Sequence, residues 1–207
     1  MMDLMVDSTA TLLRPWESKI ESEGGIAVLG VDEEMRSLSA DIISRACFGS
    51  SYSEGKEIFL KLRTLQRIMS QGNIGIPGIR YLPTKNNREA WRLEKEIHSM
   101  ILKDNFIVDD CKNVYFAGHE TSAVTTSWSL MLLAANPEWQ AQARAEVLEL
   151  CRDGVPDADA LRSMKTVILS LILSKFCFSL SPAYQHCPAF RLVIEPDHGL
   201  NLHMRRV

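Results

Sequence analysis

The sequence predicts a mainly α-helical fold with one long central helix and a C-terminal β-hairpin. Apolar residues recur at helical spacing through most of the first ~165 residues. The last residues instead alternate between apolar and polar side chains, which is the period of a strand. Of the 207 residues, 46% are hydrophobic and 24% are charged, as in globular proteins, so we expect one packed domain.

Four helices are predicted in the first half of the chain. Apolar stripes run along one face of each, and glycines or polar caps mark their ends. The second helix has acidic residues in its first turn, where the helix dipole favours them. The four predicted helices cover residues 2–22, 32–48, 54–71 and 87–102.

The segment Gly72 to Pro83 interrupts this helical pattern. It combines three glycines and two prolines with isoleucines, which predicts an apolar loop rather than a helix. Such a loop either meets lipid, a ligand or a partner, or folds onto its own core. The sequence leaves both interpretations open.

The longest helical pattern begins at Asp109 and continues to Asn136. Asn136 as a cap and Pro137 at the first helical position then predict a further helix through Leu150. Residues 190–194 have the composition of a strand, and residues 195–199 resemble a turn. Residues 200–205 alternate with period two, so the two segments are predicted to pair as a β-hairpin.

Charge and cysteine content exclude several classes of function. The formal net charge is −3 and the pI is about 6.0, so no nucleic-acid partner is expected. Five cysteines without a C-x-x-C pair favour a reducing compartment. The N-terminus has neither the basic region of a signal peptide nor a bilayer-length apolar run, so we expect a cytoplasmic or peripheral protein.

Known metal and nucleophile motifs are also missing. The five histidines do not have the spacing of zinc ligands, so no metal ligand is predicted. The glycines near residue 75 lack the strand and helix that flank a phosphate-binding loop. No Gly-x-Ser-x-Gly elbow is present.

The informative motif is Ala117-Gly118-x-Glu120-Thr121, inside the long helix. A glycine in a helix interior costs about 1 kcal/mol relative to alanine, so Gly118 needs a reason. Its missing side chain would let a flat group lie against the helix, and Thr121 with Glu120 would form a short proton relay. The alternative is a tolerated glycine, a surface glutamate and a threonine hydroxyl bonded to the backbone.

This motif and its surroundings resemble the central helix of plant cytochromes P450. Ala117-Gly118-x-Glu120-Thr121 matches the family's Ala/Gly-Gly-x-Asp/Glu-Thr motif, and Asn136-Pro137-Glu138 matches its usual helix break. The chain is most similar to the plant group that oxidises gibberellins and related diterpenoids. The fold implied is an incomplete, mainly α cytochrome P450 fold.

The resemblance implies roles for the motif residues. Ala117, Gly118 and Thr121 would contact haem and its iron-bound dioxygen, and Glu120 with Thr121 would deliver protons as catalytic residues. Haem is the implied cofactor, with an axial cysteine thiolate on its iron. The implied partners are an apolar small molecule and an NADPH-dependent reductase at the endoplasmic reticulum membrane.

The residues that would hold the haem are missing from the sequence. The family's loop is Phe-x-x-Gly-x-Arg-x-Cys-x-Gly, and no cysteine has that context. These cysteines are Cys47, Cys111, Cys151, Cys177 and Cys187. Three Glu-x-x-Arg pairs fit the spacing of the family's structural lock, but each is predicted to be a weak surface pair. One of them is Glu33-x-x-Arg36.

Three blocks of the family pattern are therefore missing: the N-terminal anchor and first helices, a stretch near residues 102–103, and everything between Val167 and Ile168. The chain is predicted to be one partial cytochrome P450 domain, residues 1–207. Residues 1–102 resemble the D-to-G helices, residues 103–167 the oxygen-activation helix and its successor, and residues 168–207 the last helix and hairpin.

Two functional hypotheses follow. The first is a haem-dependent monooxygenase that is inactive here because the axial-cysteine loop is missing. The second is a non-catalytic helical fragment, or a module that binds an apolar ligand without haem. The long helix is apolar around much of its circumference. Incomplete covering layers therefore predict self-association or chaperone binding.

Overall fold

A computed structural model describes residues 2–48, 82–103, 108–150, 164–191 and 193–207, together with Lys61, Thr64, Leu65 and Ile68. The described part is mainly helical, as the sequence predicts. Its helices are α1 (Met2–Ser22), α2 (Val31–Phe48), α3 (Lys85–Lys103), α4 (Val108–Ala135), α5 (Pro137–Leu150) and α6 (Met164–Lys175). Its strands are β1 (Ile26–Gly30), β2 (Phe176–Leu180), β3 (Pro188–Arg191), β4 (Val193–Pro196) and β5 (Asn201–Arg206).

The predicted helix boundaries agree closely with these bounds. The helix predicted over residues 2–22 is α1, and it continues across Pro15. Gly24 and Gly25 have positive φ angles of 83° and 103°, a conformation that glycine adopts without strain, and they end the helix as predicted. The predicted helix over residues 54–71 and most of the predicted loop over residues 72–83 lie outside the described residues.

The strand pairing differs from the predicted C-terminal hairpin. The period-two segment is β5, and it lies between β1 and β2 in an antiparallel sheet of order β1-β5-β2. The segment predicted to pair with it forms a separate hairpin of β3 and β4. The prediction of that pairing was wrong because β1 and β2, both missed in the sequence, supply the partners of β5.

The hydrophobic core lies between the three-stranded sheet and the helices α1, α2, α4 and α6. Leu202 in β5 is fully buried, and it faces Leu29 of β1 and Leu180 of β2 across the sheet. Trp16 of α1 packs edge-on against Phe176, with ring centroids 6.0 Å apart. Burial of these large side chains is the main favourable contribution to this packing.

Helix α6 lies inside the core and crosses the predicted junction without a break. Val167 and Ile168 are adjacent residues of this helix, and both are almost fully buried, with exposures of 0% and 1%. The two residues between which the sequence analysis predicts a missing segment are therefore joined in a continuous turn of helix. No helix in the described part of the chain has the length and apolar character needed to cross a membrane.

Helix α5 protects the edge of β2 through side-chain hydrogen bonds. The buried Gln140 amide accepts a hydrogen bond from the Phe178 N–H at 3.1 Å and donates one to the Phe178 carbonyl at 2.8 Å. Arg144 of the same helix donates to the Leu173 carbonyl at 2.8 Å and also to that of Phe176. The bonds to Phe176 and Phe178 satisfy backbone groups that an edge strand would otherwise leave unpaired, and the bond to Leu173 satisfies a carbonyl in the last turn of α6.

The register of β5 makes a direct prediction about stability. Because neighbouring side chains of a strand point to opposite faces, Leu202→Ala should lower the free energy of unfolding by about 2–5 kcal/mol. The adjacent, exposed Asn201→Ala should change it by less than about 0.5 kcal/mol. Urea unfolding followed by circular dichroism measures both. Equal losses would show that β5 does not have this register.

Candidate functional site

Four of the five positions of the oxygen-activation motif have a described environment, and they face different surroundings. Helix α4 carries the motif, and Glu120 is buried with 4% exposure. Thr121, the next residue, is exposed on a different side of the helix. The side chain of Ala117 lies outside the described residues. The predicted relay residues thus point in different directions, and their catalytic roles stay predictions.

Gly118 lies where α4 approaches α2 closely. A Cβ atom at Gly118 would lie 3.3 Å from Cδ1 of Ile43, tighter than an ordinary contact. One turn away in α2, the Ser39 hydroxyl donates to the His119 carbonyl at 2.9 Å. Close helix packing therefore supplies a structural reason for the glycine, which the sequence motif did not reveal. Its predicted contact with haem remains a prediction.

The Glu120 carboxylate belongs to a buried cluster of charges around Arg36. Nε of Arg36 donates to Glu120 Oε1 at 3.2 Å, and Nη2 binds the carboxylate of Glu195 in β4. Nη1 of the same guanidinium lies 3.5 Å from Asp32, one turn earlier in α2. Arg36 is 6% exposed and Glu195 is 6% exposed. We name these residues, together with His119, the Arg36 cluster.

His119 closes the cluster on the α4 side. Its Nε2 lies 3.2 Å from the Arg36 carbonyl, and its Nδ1 lies 3.6 Å from Glu120 Oε2. A carbonyl oxygen only accepts hydrogen bonds, so Nε2 carries a proton in this arrangement. The imidazole thus links the backbone of α2 to the carboxylate of Glu120.

The surface pair predicted for Glu33 and Arg36 was wrong. Arg36 turns inward, where three carboxylates surround its guanidinium, while Glu33 is exposed. Glu120 and Glu195 lie 84 and 159 residues from Arg36 in the sequence. No local spacing signals such distant partners, so sequence reasoning missed both Arg36 and Glu195.

Asp32 has a second function in the same region. Its Oδ1 accepts a hydrogen bond from the Leu200 N–H at 3.1 Å, and the Val31 N–H donates to the Leu200 carbonyl at 2.9 Å. Gly199, with φ of 72°, forms the turn that brings this backbone to α2. The start of α2 is therefore fixed by the segment just before β5, one residue earlier than the predicted cap.

The cluster holds three elements together: α2 through Asp32 and Arg36, α4 through Glu120, and β4 through Glu195. Trp128 of α4 adds a further contact to the hairpin, because its Nε1 donates to the Ile194 carbonyl at 2.7 Å. Chemically, the arrangement pairs the Glu120 carboxylate with a cation and holds it in place. A carboxylate held by a guanidinium is fixed in place for as long as that pairing lasts.

Removal of Arg36 tests whether the cluster stabilises the fold. Arg36→Met leaves the buried carboxylates of Glu120 and Glu195, and the partly buried one of Asp32, without their cation. The free energy of unfolding should therefore fall by about 3–5 kcal/mol. The control is Arg45→Met on the same helix. Arg45 pairs with Asp7 at 2.9 Å, but its side chain is 33% exposed. A pair so exposed should contribute at most about 1 kcal/mol.

Urea unfolding of the two variants beside the wild type provides the measurement. Glu120→Gln should cost less than Arg36→Met, because its amide oxygen still accepts from Arg36 and two carboxylates remain paired with the guanidinium. If Arg36→Met were no more harmful than Arg45→Met, the cluster would contribute no more than a surface pair.

Comparison with known proteins identifies the family. The family model described as Cytochrome P450 matches residues 89–168, which include the motif in α4. Cytochrome P450 714C2 of rice is 33% identical and aligns with 100% of this chain and 66% of its own length. Cytochrome P450 714D1 of rice is also 33% identical, with 100% of this chain and 62% of the relative covered.

Two features of these alignments describe the shortened chain. The first alignment spans 344 positions for a chain of 207 residues, so the relative carries internal segments that this chain lacks. The chain spans about two thirds of the length of the curated relatives it matches. The first finding agrees with the prediction from the motifs that internal segments of the family pattern are missing.

Solved structures support the same fold. The haem domain of cytochrome P450DA superimposes with a TM-score of 0.72, covering 99% of this chain and 73% of that domain. A second structure, cytochrome P450 CYP102L1, superimposes with a TM-score of 0.70. Their identities of 14% and 15% are too low to transfer more than the fold. Given the motif, the helical architecture and these relatives, the chain belongs to the cytochrome P450 family.

Proposed function

We propose that this chain is a catalytically inactive member of the cytochrome P450 family, related to enzymes that oxidise an apolar small molecule such as a diterpenoid. Haem is the cofactor of the family. Haem would supply the chemistry that cleaves the O–O bond of dioxygen, and a cysteine thiolate holding its iron would donate the electron density that favours this cleavage. The proposal depends on whether this chain retains a suitable cysteine.

The cysteines with described side chains do not fit that role. Cys177 lies in β2, facing away from the buried Phe176 and Phe178, and its Sγ is 3.8 Å from a guanidinium nitrogen of Arg205. Cys187 lies just before β3, beside Asp197 and His198. Both thiols are partly exposed. Neither lies in the sequence context of the family's haem-binding loop, so neither thiol is suited to hold a haem iron.

The observation that carries the proposal is the continuity of α6. The family's cysteine loop would be encoded between Val167 and Ile168, where this chain has one uninterrupted, buried helical turn. Any segment inserted there would have to separate two side chains that are packed in the core. The fold thus supports an arrangement that has closed over the deletion, at the expense of the axial ligand.

Glu120 of the motif has a structural role that does not require catalysis. Glu120 is paired with Arg36 in the Arg36 cluster, which links α2, α4 and β4. Its retention therefore has a reason that does not require turnover. Thr121 is exposed, so the energetic effect of its hydroxyl on folding is expected to be small.

Product formation tests the proposal. The purified chain, Thr121→Ala and Glu120→Gln should all fail to oxidise any member of a diterpenoid panel when NADPH and a plant reductase are supplied. The reason is that no thiolate-ligated haem forms to receive the electrons. An intact rice relative assayed in parallel serves as the positive control for the reductase and the substrates.

Wild-type turnover that falls in Thr121→Ala would contradict the proposal, since it would show the motif to be catalytic. Circular dichroism of the variants accompanies the assay. The free energy of unfolding of Thr121→Ala should differ from that of the wild type by less than about 1 kcal/mol. A loss of turnover can then be distinguished from a loss of folding.

A further inference from the structure

Three potential metal ligands meet at the open end of the β3–β4 hairpin. Cys187 immediately precedes β3, and Asp197 and His198 immediately follow β4. The last pair of the ladder joins Pro188 to Pro196, and beyond it the Asp197 N–H donates to the Cys187 carbonyl at 2.8 Å. The backbone therefore holds the thiol on one side of the hairpin opposite the carboxylate and imidazole on the other.

The donor atoms are already close together. The Cys187 Sγ, a carboxylate oxygen of Asp197 and a ring nitrogen of His198 all lie within 4.8 Å of one another. Around a tetrahedral zinc ion, with Zn–S of about 2.3 Å and Zn–N or Zn–O of about 2.0–2.2 Å, ligand atoms lie roughly 3.5 Å apart. Side-chain rotations that shorten the separations by about 1 Å are enough to complete the set.

We propose that Cys187, Asp197 and His198 form a zinc site with three protein ligands and a water molecule in the fourth position. A thiolate and an imidazole favour a borderline-soft ion such as Zn²⁺, whereas Mg²⁺ and Ca²⁺ prefer oxygen ligands alone. The three side chains are accessible to solvent, so the ion has a path to the site. The site does not depend on haem or on the proposed function.

The backbone that carries these ligands is fixed independently of any metal. On the β4 side, Ile194 accepts from Trp128, and Glu195 binds Arg36. After His198, Gly199 has φ of 72°. Its N–H donates to the Pro196 carbonyl, with an N···O distance of 3.3 Å, and this bond closes the turn. A site whose backbone is ordered beforehand loses less conformational entropy when the ion binds.

The neighbouring His186 is engaged elsewhere. Its Nδ1 lies 3.0 Å from the hydroxyl of Tyr184, and its ring packs edge-on against Trp128 with centroids 5.7 Å apart. These contacts hold the segment that leads into Cys187 against α4. They also explain why we assign three protein ligands rather than four.

Titration with Co²⁺, a spectroscopic substitute for Zn²⁺, tests the proposal on the purified full chain. One equivalent should bind and give thiolate-to-cobalt charge-transfer absorption in the near ultraviolet, and Zn²⁺ should displace it. Cys187→Ser should abolish that absorption. His198→Ala and Asp197→Asn should each weaken binding at least about tenfold, since loss of supporting groups alone costs 10–100-fold at such sites.

The matched controls are Cys177→Ser and His203→Ala, which remove the same chemical groups from β2 and β5. Both should bind Co²⁺ like the wild type, with unchanged circular dichroism. The proposal is overturned if the wild type gives no thiolate band, or if Cys187→Ser keeps it. Asp197→Asn, which preserves side-chain size, keeps the test decisive if Cys187→Ser does not fold.

Discussion

The pairing of the buried Arg36 guanidinium with three carboxylates is the interaction on which the arrangement of the helices and the hairpin depends. A buried cation is stable only when carboxylates compensate it, and each of its partners comes with a different segment: Asp32 with α2, Glu120 with α4 and Glu195 with β4. Segments as far apart as 159 residues are thus held in one geometry. Trp128 and the bond between Asp32 and Leu200 then fix the hairpin and β5 against the same helices.

This constraint explains how an oxygen-activation motif persists in a shortened cytochrome P450. In this fold Glu120 compensates Arg36, and Gly118 gives Ile43 the space to pack between two helices. Both residues therefore contribute to the fold as well as to the family's catalytic pattern. The central helix therefore has a packing role that is independent of catalysis.

Much of the fold could be predicted from local sequence patterns. The central helix, expected from Asp109 to Asn136, spans Val108–Ala135, because its cap and the following Pro137 act locally. Pairing of strands and charges could not be predicted in the same way. β1 is only five residues long and lies between glycines and a helix. It pairs with β5, which lies about 175 residues away in the sequence. Arg36 resembled a surface residue because its buried partners are remote in sequence.

The spectrum of the reduced protein with carbon monoxide tests the central claim most directly. The purified chain would be mixed with haem, reduced with dithionite and exposed to carbon monoxide. Thiolate ligation gives a strongly red-shifted Soret band, which depends on the axial cysteine. We predict that this band is absent. A clear band that disappears in Cys177→Ser or Cys187→Ser would contradict the account and identify the thiol that holds the iron.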